Sequence, residues 1–329
     1  MPQLSRSCSI TWFGTLGGAT SRAFDVSADG SVVVGQSGNI YRNGHAFRWT
    51  RETGLQDLGT LGGLVSRATG VSADGSVIVG WADDAYGQRR AFCWTAATGR
   101  IEDLGAGEIN DISADGLVVV GCSGLSTGMA GSFFSPRAFR QTATAGREYL
   151  CEGEAFGVSA DGSVVVGTSH PHAFRWTERG GIEVLDALPD MILSGVCFAL
   201  DVSADGAVVV GGVEQSNGYA RAFRWTSTEG MLLLDTLGGN FSRANGVSAN
   251  GRVIVGWASN RYGQLHAFRW TPSRGMEDLN TTYADLLTDG SVLETAIATS
   301  SDGRYIVGWG ANAATGRTEA FLLDTGYTL

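Results

Sequence analysis

The chain has 329 residues, 43% of them hydrophobic, which is enough for a sizeable core in either two ordinary domains or one large repeat-built β fold. Its 49 glycines against 5 prolines, without a Gly-X-Y period, exclude collagen and indicate many tight turns, and the apolar content excludes disorder. A net charge of −10 argues against nucleic acid and anionic membrane as partners, and all 23 basic residues are arginine, which removes lysine Schiff-base chemistry and a P-loop. Five cysteines (Cys8, Cys93, Cys122, Cys151, Cys197) are odd in number and never spaced C-x-x-C, so they read as free buried thiols. No run of 18 apolar residues marks a membrane span, and the opening "MPQLSRSCSITWFG" carries no secretory-leader pattern.

In chain order, the first expected element is a strand over residues 9–16, "SITWFGTL", which has no unit before it. Then comes "RAFDVS", followed by Ala-Asp-Gly, where glycine supplies the positive φ of a tight hairpin. "SVVVG" is a β-branched run that reads as a strand buried on both faces. "HAFRWT" follows, with Phe and Trp on one side and Arg on the other, and a turn with a late glycine (Gly54) leads to "LQDLGTL".

This four-strand phrase returns along the whole chain. V-S-A-D-G or a close variant has its serine at Ser27, Ser72, Ser113, Ser159, Ser203, Ser248 and Ser300, at intervals of 45, 41, 46, 44, 45 and 52 residues. A period of about 40–50 residues indicates a propeller or solenoid. The expected fold is all-β: a single seven-bladed β-propeller over 1–329, with blades near 20–61, 65–104, 107–150, 153–188, 195–237, 241–280 and 294–329. The last unit stops where its fourth strand should begin, so residues 9–16 are expected to complete it and close the ring, removing open sheet edges. Only "TTYADLLTDG", 281–290, has the look of a helical turn.

With "HAF" at His45–Phe47, His172–Phe174 and His266–Phe268, the recurring elements resemble the HAF-repeat proteins, also described as probable extracellular repeat proteins. The resemblance covers nearly the whole chain and implies a bacterial origin and an extracellular setting; it implies no activity. Units three and four depart from it, with "LGAGEIND" and "LCEGEAFG" in place of L-G-G-x-x-S-R-A.

A phrase present in every unit is more economically a structural part than repeated active sites. The arginines of A-F-R-W-T (Arg48, Arg140, Arg175, Arg224, Arg269) are expected to pair with carboxylates or carbonyls between blades. The four histidines and five cysteines form no metal-ligand spacing, and His170-Pro171-His172 is the only close histidine pair, so no metal and no cofactor is expected. Two residues before each repeat serine the chain reads Asp25, Gly70, Asp111, Gly157, Asp201, Gly246 and Ala298. The three aspartates are channel candidates: either they accept backbone N–H bonds from the neighbouring blade, with glycine making room, or they ring an axial cation. Arg22, Arg67 and Arg243 beside Gly-Gly loops are also channel candidates, either in interblade ion pairs or toward an anion.

Variation concentrates in the loops between second and third strands, on the face opposite the V-S-A-D-G turns, and variable loops are where binding resides. These loops supply Tyr41, Arg42, Asp83, Asp84, Tyr86, Gln88, Phe133, Phe134, His170, Tyr219, Asn260, Arg261, Tyr262 and Gln264. Aromatic anchors among amides suit a protein or carbohydrate ligand. Blades two and six share W-A-x-x-x-Y-G-Q, either a repeated subsite or a preferred loop fold. The expected function is a non-enzymatic binding scaffold, acting as a monomer. The alternatives are a propeller hydrolase or lyase on glycans, which needs paired carboxylates at the channel mouth, or a structural surface-assembly protein.

Overall fold

The computed structural model describes residues 8–124, 136–185, 196–215 and 218–326. The chain is all-β. After β1 (Ser9–Trp12), strands β2–β5 are Gly17–Val26, Val32–Asn39, Gly44–Thr50 and Gly54–Gly59, and β6–β9 are Gly62–Val71, Val77–Asp84, Arg89–Thr95 and Ile101–Ala106. Next come β10–β13 (Glu108–Ile112, Val118–Ser123, Arg137–Thr142, Gly146–Glu152) and β14–β17 (Glu154–Val158, Val164–Ser169, His172–Thr177, Gly181–Leu185). They are followed by β18–β21 (Val196–Val202, Val208–Glu214, Ala220–Thr226, Gly230–Leu233) and β22–β25 (Gly238–Val247, Ile254–Asn260, Leu265–Thr271, Gly275–Asp278). The last strands are β26–β28: Val292–Thr299, Tyr305–Asn312 and Arg317–Asp324.

Each group of four pairs antiparallel in chain order, and β1 pairs antiparallel with β28, Ser9 facing Asp324 and Trp12 facing Phe321. Relative to the sequence reading, in which the Gly-Gly phrase is a loop between units, that phrase opens the first strand of a sheet, with Gly59 and Gly62 both at positive φ where the chain turns. A helical turn, α1 (Leu279–Thr282), precedes a 3-10 turn at Ala284–Leu286, so helix begins slightly before the expected stretch.

The repeated phrase builds each hairpin from its own side chains. Ser27 Oγ, fully buried, donates to Asp29 (2.8 Å) and accepts the Val32 N–H (2.9 Å), while Asp29 also accepts the Ser31 N–H and Gly30 turns at φ +74°. The unit from Ser248 does the same with Asn250 in the Asp place. A backbone relay joins these turns from sheet to sheet, beginning with the Ala28 N–H to the Ala73 oxygen and ending with the Ala249 N–H to the Ser301 oxygen.

Sheets stack face to face through the strands that read as doubly buried. Val33, Phe47 and Trp49 pack against Val307, Ala320 and Leu322 on one side, while Val32, Val34 and Ala46 pack against Val71, Ile78 and Phe92 on the other. The Phe of every A-F-R-W-T element or variant, from Phe47 to Phe321, is fully buried, and each contributes about 1.5–3 kcal/mol relative to exposure. A Cβ on Gly35 would collide with the Arg22 carbonyl oxygen and stand 2.7 Å from the Phe47 ring, so only glycine fits the end of "VVVG".

Among the described residues no cysteine is in a disulfide; Cys122 and Cys197 are buried and Cys8, Cys93 and Cys151 half-buried. No described helix is long and apolar enough to cross a membrane.

Candidate functional site: the axial cavity and its loop rim

Every first strand carries a register shift at the same place, between Ala23 and Asp25 in β2 and between Ala244 and Gly246 in β22, for example. A bulge adds one unpaired residue and re-aims its side chain. Here it turns Phe24, Thr69, Asn110, Phe156, Leu200 and Asn245 into a common cavity of about 350 Å³. Three of them also tie neighbouring sheets: the Thr69 hydroxyl donates to the Ile109 oxygen (2.7 Å), and the Asn110 and Asn245 amides donate to the Ala155 and Ala296 oxygens (both 2.8 Å).

Asp25, Asp111 and Asp201 sit at the neck between this cavity and a smaller one of about 140 Å³ on the V-S-A-D-G side. Asp25 accepts the Val26 N–H with one oxygen and the Val71 N–H of the next sheet with the other, both at 2.8 Å. Asp111 bridges Ile112 to Val158 and Asp201 bridges Val202 to Val247 in the same way. A Cβ on Gly70 would stand 3.3 Å from the Asp111 Cα, and one on Gly157 3.0 Å from the Asp201 Cα; the alternation of Asp and Gly is the room this approach needs. Burial raises Asp25 and Asp201 to about 7 against the weaker pull of their N–H donors, and raises Asp111 well above the carboxylate range, with Asp25 and Asp201 adding repulsion. Among the described residues no group of three or more His, Cys, Asp or Glu is arranged to hold a metal ion. Both oxygens of each aspartate serve backbone donors, the interblade N–H bridge that the sequence offered as one of its two readings.

Three residues before the Asp/Gly position stands a second tier, which reads Arg22, Arg67, Glu108, Glu154, Phe198, Arg243 and Thr295 around the sheets. The expected interblade ion pairs of Arg22, Arg67 and Arg243 are absent among the described residues. Instead the guanidinium of Arg22 lies over Trp309 (5.1 Å), that of Arg67 over Phe24 (4.8 Å) and Trp81 (5.4 Å), and that of Arg243 over Phe198 (5.7 Å). The buried Nε atoms of Arg67 and Arg243 have no hydrogen-bond partner. Burial lowers the pKa of both against the opposing charge of Glu108 on Arg67 and of Glu214 on Arg243, with the charges of Arg89 and Arg22 adding to the lowering at Arg67. On the opposite arc, Glu108 pairs with Arg89, and Glu154 is pushed up by burial and by Glu108.

The arginines of A-F-R-W-T divide their contacts differently from the expectation. Arg140 and Arg175 donate to carbonyls of the next sheet, Gly162 (2.9 Å) and Gly206 (3.2 Å), whereas Arg224 and Arg269 pair with Glu229 and Glu277 of their own sheets. Two of the three HAF histidines are tie-points: His45 bonds Asp57 (2.8 Å) and Asn39 (3.2 Å), and His266 bonds Asp278 (2.7 Å), while His172 is exposed.

Loop-rim residues stand on hairpins locked by short polar side chains. Asn39, Asp84 and Asn260 each accept two N–H groups of their own loop, as in Asp84 with Tyr86 (2.8 Å) and Gln88 (2.9 Å). The shared W-A-x-x-x-Y-G-Q takes the same hairpin in both places, with Gly87 and Gly263 at positive φ. Tyr41, Tyr86 and Tyr262 are 76%, 89% and 72% exposed, and Arg42, Gln88, Arg261 and Gln264 are exposed beside them. No ring contact joins these tyrosines to one another. Asp83 lies near Arg89 (3.9 Å), and His170 packs edge-on against Phe198 (5.7 Å). Tyr219 meets Phe241 (6.1 Å) at a side pocket of about 340 Å³ that also contains Trp257, Glu214 and Arg243. Phe133 and Phe134 lie outside the described residues. The sequence reading had Trp81 and Trp257 only as the start of W-A-x-x-x-Y-G-Q and did not single out Glu108, Phe198, Phe241 or Trp309; aligning the position three before each Asp/Gly would have found the first two.

No protein-family model matches the chain, and no curated protein does. Among solved structures it is similar to the β-propeller domain of the Trilobed protease from Pyrococcus furiosus, with TM-score 0.59 and 10% identity over 93% of this chain and 94% of that one. It is also similar to Kuenenia stuttgartiensis hydrazine synthase, with TM-score 0.50 and 12% identity over 94% and 96% of the two chains. TolB from Acinetobacter baumannii gives TM-score 0.48 and 11% identity; the match covers 96% of this chain and 65% of that one. With its four-stranded antiparallel sheets, the chain has a β-propeller fold.

Proposed function

We propose that the chain forms a seven-bladed propeller closed by its own first strand, and that it is a non-enzymatic scaffold holding a carbohydrate or protein partner on the face of the second-to-third loops. Closure is supported by the β1–β28 pairing, by Trp12 edge-on to Phe321 at 5.8 Å, and by Phe13 stacked on Trp49 at 4.4 Å. Membership of the HAF-repeat proteins, an extracellular setting and a monomeric state belong to the same proposal. The observation that carries the scaffold reading is the exposure of Tyr41, Tyr86 and Tyr262 on rigid hairpins; holding an aromatic ring in water on a preorganised tip favours recognition. The repeated Ser, Asp and Phe side chains, with His45 and His266, are by contrast occupied in holding the sheets.

The test is a glycan array run beside a polysaccharide panel assayed for new reducing ends. Retention on a defined glycan set without reducing-end release is expected, lost in a Tyr41/Tyr86/Tyr262→Ala variant of unchanged Tm. Release that disappears in Glu154→Gln would replace the scaffold with a hydrolase.

A further inference from the structure

The second tier of the axial cavity is bipolar. Its cationic arc runs through Arg243, Arg22 and Arg67, and its acidic arc through Glu108 and Glu154. The two arginines that line the cavity, Arg67 and Arg243, are held against aromatic rings without an ion pair or hydrogen bond to any described residue. A half-buried guanidinium without an acceptor is unusual, since desolvation is offset only when its donors are used. Its planar fork matches a carboxylate, and stacking on Phe24, Trp81 and Phe198 fixes its direction in advance.

Below the arginines the same cavity offers the Asn110 and Asn245 amides, the Thr69 hydroxyl and the three aspartates, all with lone pairs left after their interblade bonds. Those are acceptors for hydroxyl groups, and the rings of Phe24 and Phe156 offer flat apolar walls beside them. Arg243 also lines the side pocket of about 340 Å³ with Tyr219, Phe241 and Trp257, so one guanidinium borders two adjoining compartments. Each lies at the low end of the range of about 300–1,000 Å³ for small-molecule sites.

We propose that the axial cavity and the side pocket form two adjoining subsites for an acidic carbohydrate, with a sugar carboxylate on Arg243 and Arg67 and a neighbouring sugar ring against Tyr219, Phe241 and Trp257. This rests on the scaffold reading above and names its ligand class. Charge selects the ligand end at the axis; the hydroxyl acceptors and ring walls distinguish a sugar from a simple inorganic anion.

The experiment titrates the full chain with trigalacturonate, with the neutral galactose trisaccharide and with inorganic phosphate, followed by calorimetry and tryptophan fluorescence. Trigalacturonate is expected to bind and the other two to bind at least about tenfold more weakly, a difference of about 1.4 kcal/mol. Arg67→Gln and Arg243→Gln should each weaken trigalacturonate about tenfold or more, while Arg100→Gln, on an exposed turn, leaves it unchanged. Arg243→Lys, which keeps the charge, guards against a glutamine variant that fails to fold; it should bind between wild type and Arg243→Gln. Equal binding of acidic and neutral trisaccharides, or indifference to both arginine variants, overturns the inference. If glycans still bind but lose affinity only in the Tyr41/Tyr86/Tyr262→Ala variant, the scaffold reading stands and the axial site falls. Phosphate binding as tightly as trigalacturonate also overturns it.

Discussion

The axial carboxylates make stability fall as pH rises through neutrality. Asp25 and Asp201 are each raised from 3.8 to about 7, so between those values the folded chain holds a proton that the unfolded chain releases. The stabilising contribution is complete below 3.8 and is lost as pH climbs through about 7. One pH unit is worth about 1.4 kcal/mol per group, so from about pH 5.5 to about pH 7 each carboxyl removes about 2 kcal/mol. Asp111, raised in the same direction, adds to the fall. The turn aspartates Asp29, Asp115, Asp161 and Asp205 are lowered by their Ser and backbone donors, so their contribution is lost only as pH drops below 3.8 and is silent in this window. For a chain of this size about 4 kcal/mol corresponds to a Tm drop of about 6 °C. Calorimetry in buffers of equal ionic strength between about pH 5.5 and 8 measures the slope. Asp25→Asn with Asp201→Asn lowers Tm overall, because an amide cannot accept both N–H groups, but it should flatten the slope. A wild-type Tm that is constant or rising across the window, or an unchanged slope in the double variant, refutes the reasoning.

Ser66 is fully buried, accepts the Ala46 N–H of the preceding sheet (2.8 Å) and donates to the Gly59 oxygen, so Ser66→Ala strands two backbone groups and should cost about 1–3 kcal/mol by denaturant unfolding. Gly35→Ala drives a methyl into the Arg22 carbonyl and the Phe47 ring; expect a loss of about 3 kcal/mol or failure to fold, read by circular dichroism. Phe13→Ala removes the ring stacked on Trp49 and should destabilise by about 3–5 kcal/mol; a change below 1 kcal/mol would remove the first strand from the closing role. Tyr262→Ala, on a tip, should leave stability within about 0.5 kcal/mol while weakening partner binding.

What the sequence made legible is what each unit needs separately. V-S-A-D-G encodes its hairpin in the Ser and Asp side chains and a glycine, and the Phe of A-F-R-W-T and its variants is buried wherever that element recurs, so period and strand order could be read directly. The start of each first strand was less legible, because Gly-Gly punctuates two strands and does not say to which it belongs. Only the geometry, with Gly59 and Gly62 at positive φ, assigns both glycines of the pair, Gly62 and Gly63, to β6. The alternation of Asp and Gly was visible as a pattern, and the two-sided N–H bridge explains why one sheet carries the carboxylate and the next carries no side chain.

The cavity was hidden for a different reason. Its chemistry depends on residues that differ between units at one shared depth, and a reader matching similarities discards differences. Arg22, Arg67 and Arg243 were noticed because they share the phrase S-R-A, and ion pairing was the natural expectation for isolated arginines. Glu108 and Glu154 stand at the same depth but inside the divergent "GEIND" and "GEAFG", so they looked like departures and not members of a tier. The aromatic partners come from elsewhere again: Trp309 lies in β27 and Phe24 is a bulged residue whose direction no strand alternation predicts. Repetition in this chain therefore specifies the frame, and the frame, by bringing equivalent positions to one axis, turns the unrepeated residues into a single constellation.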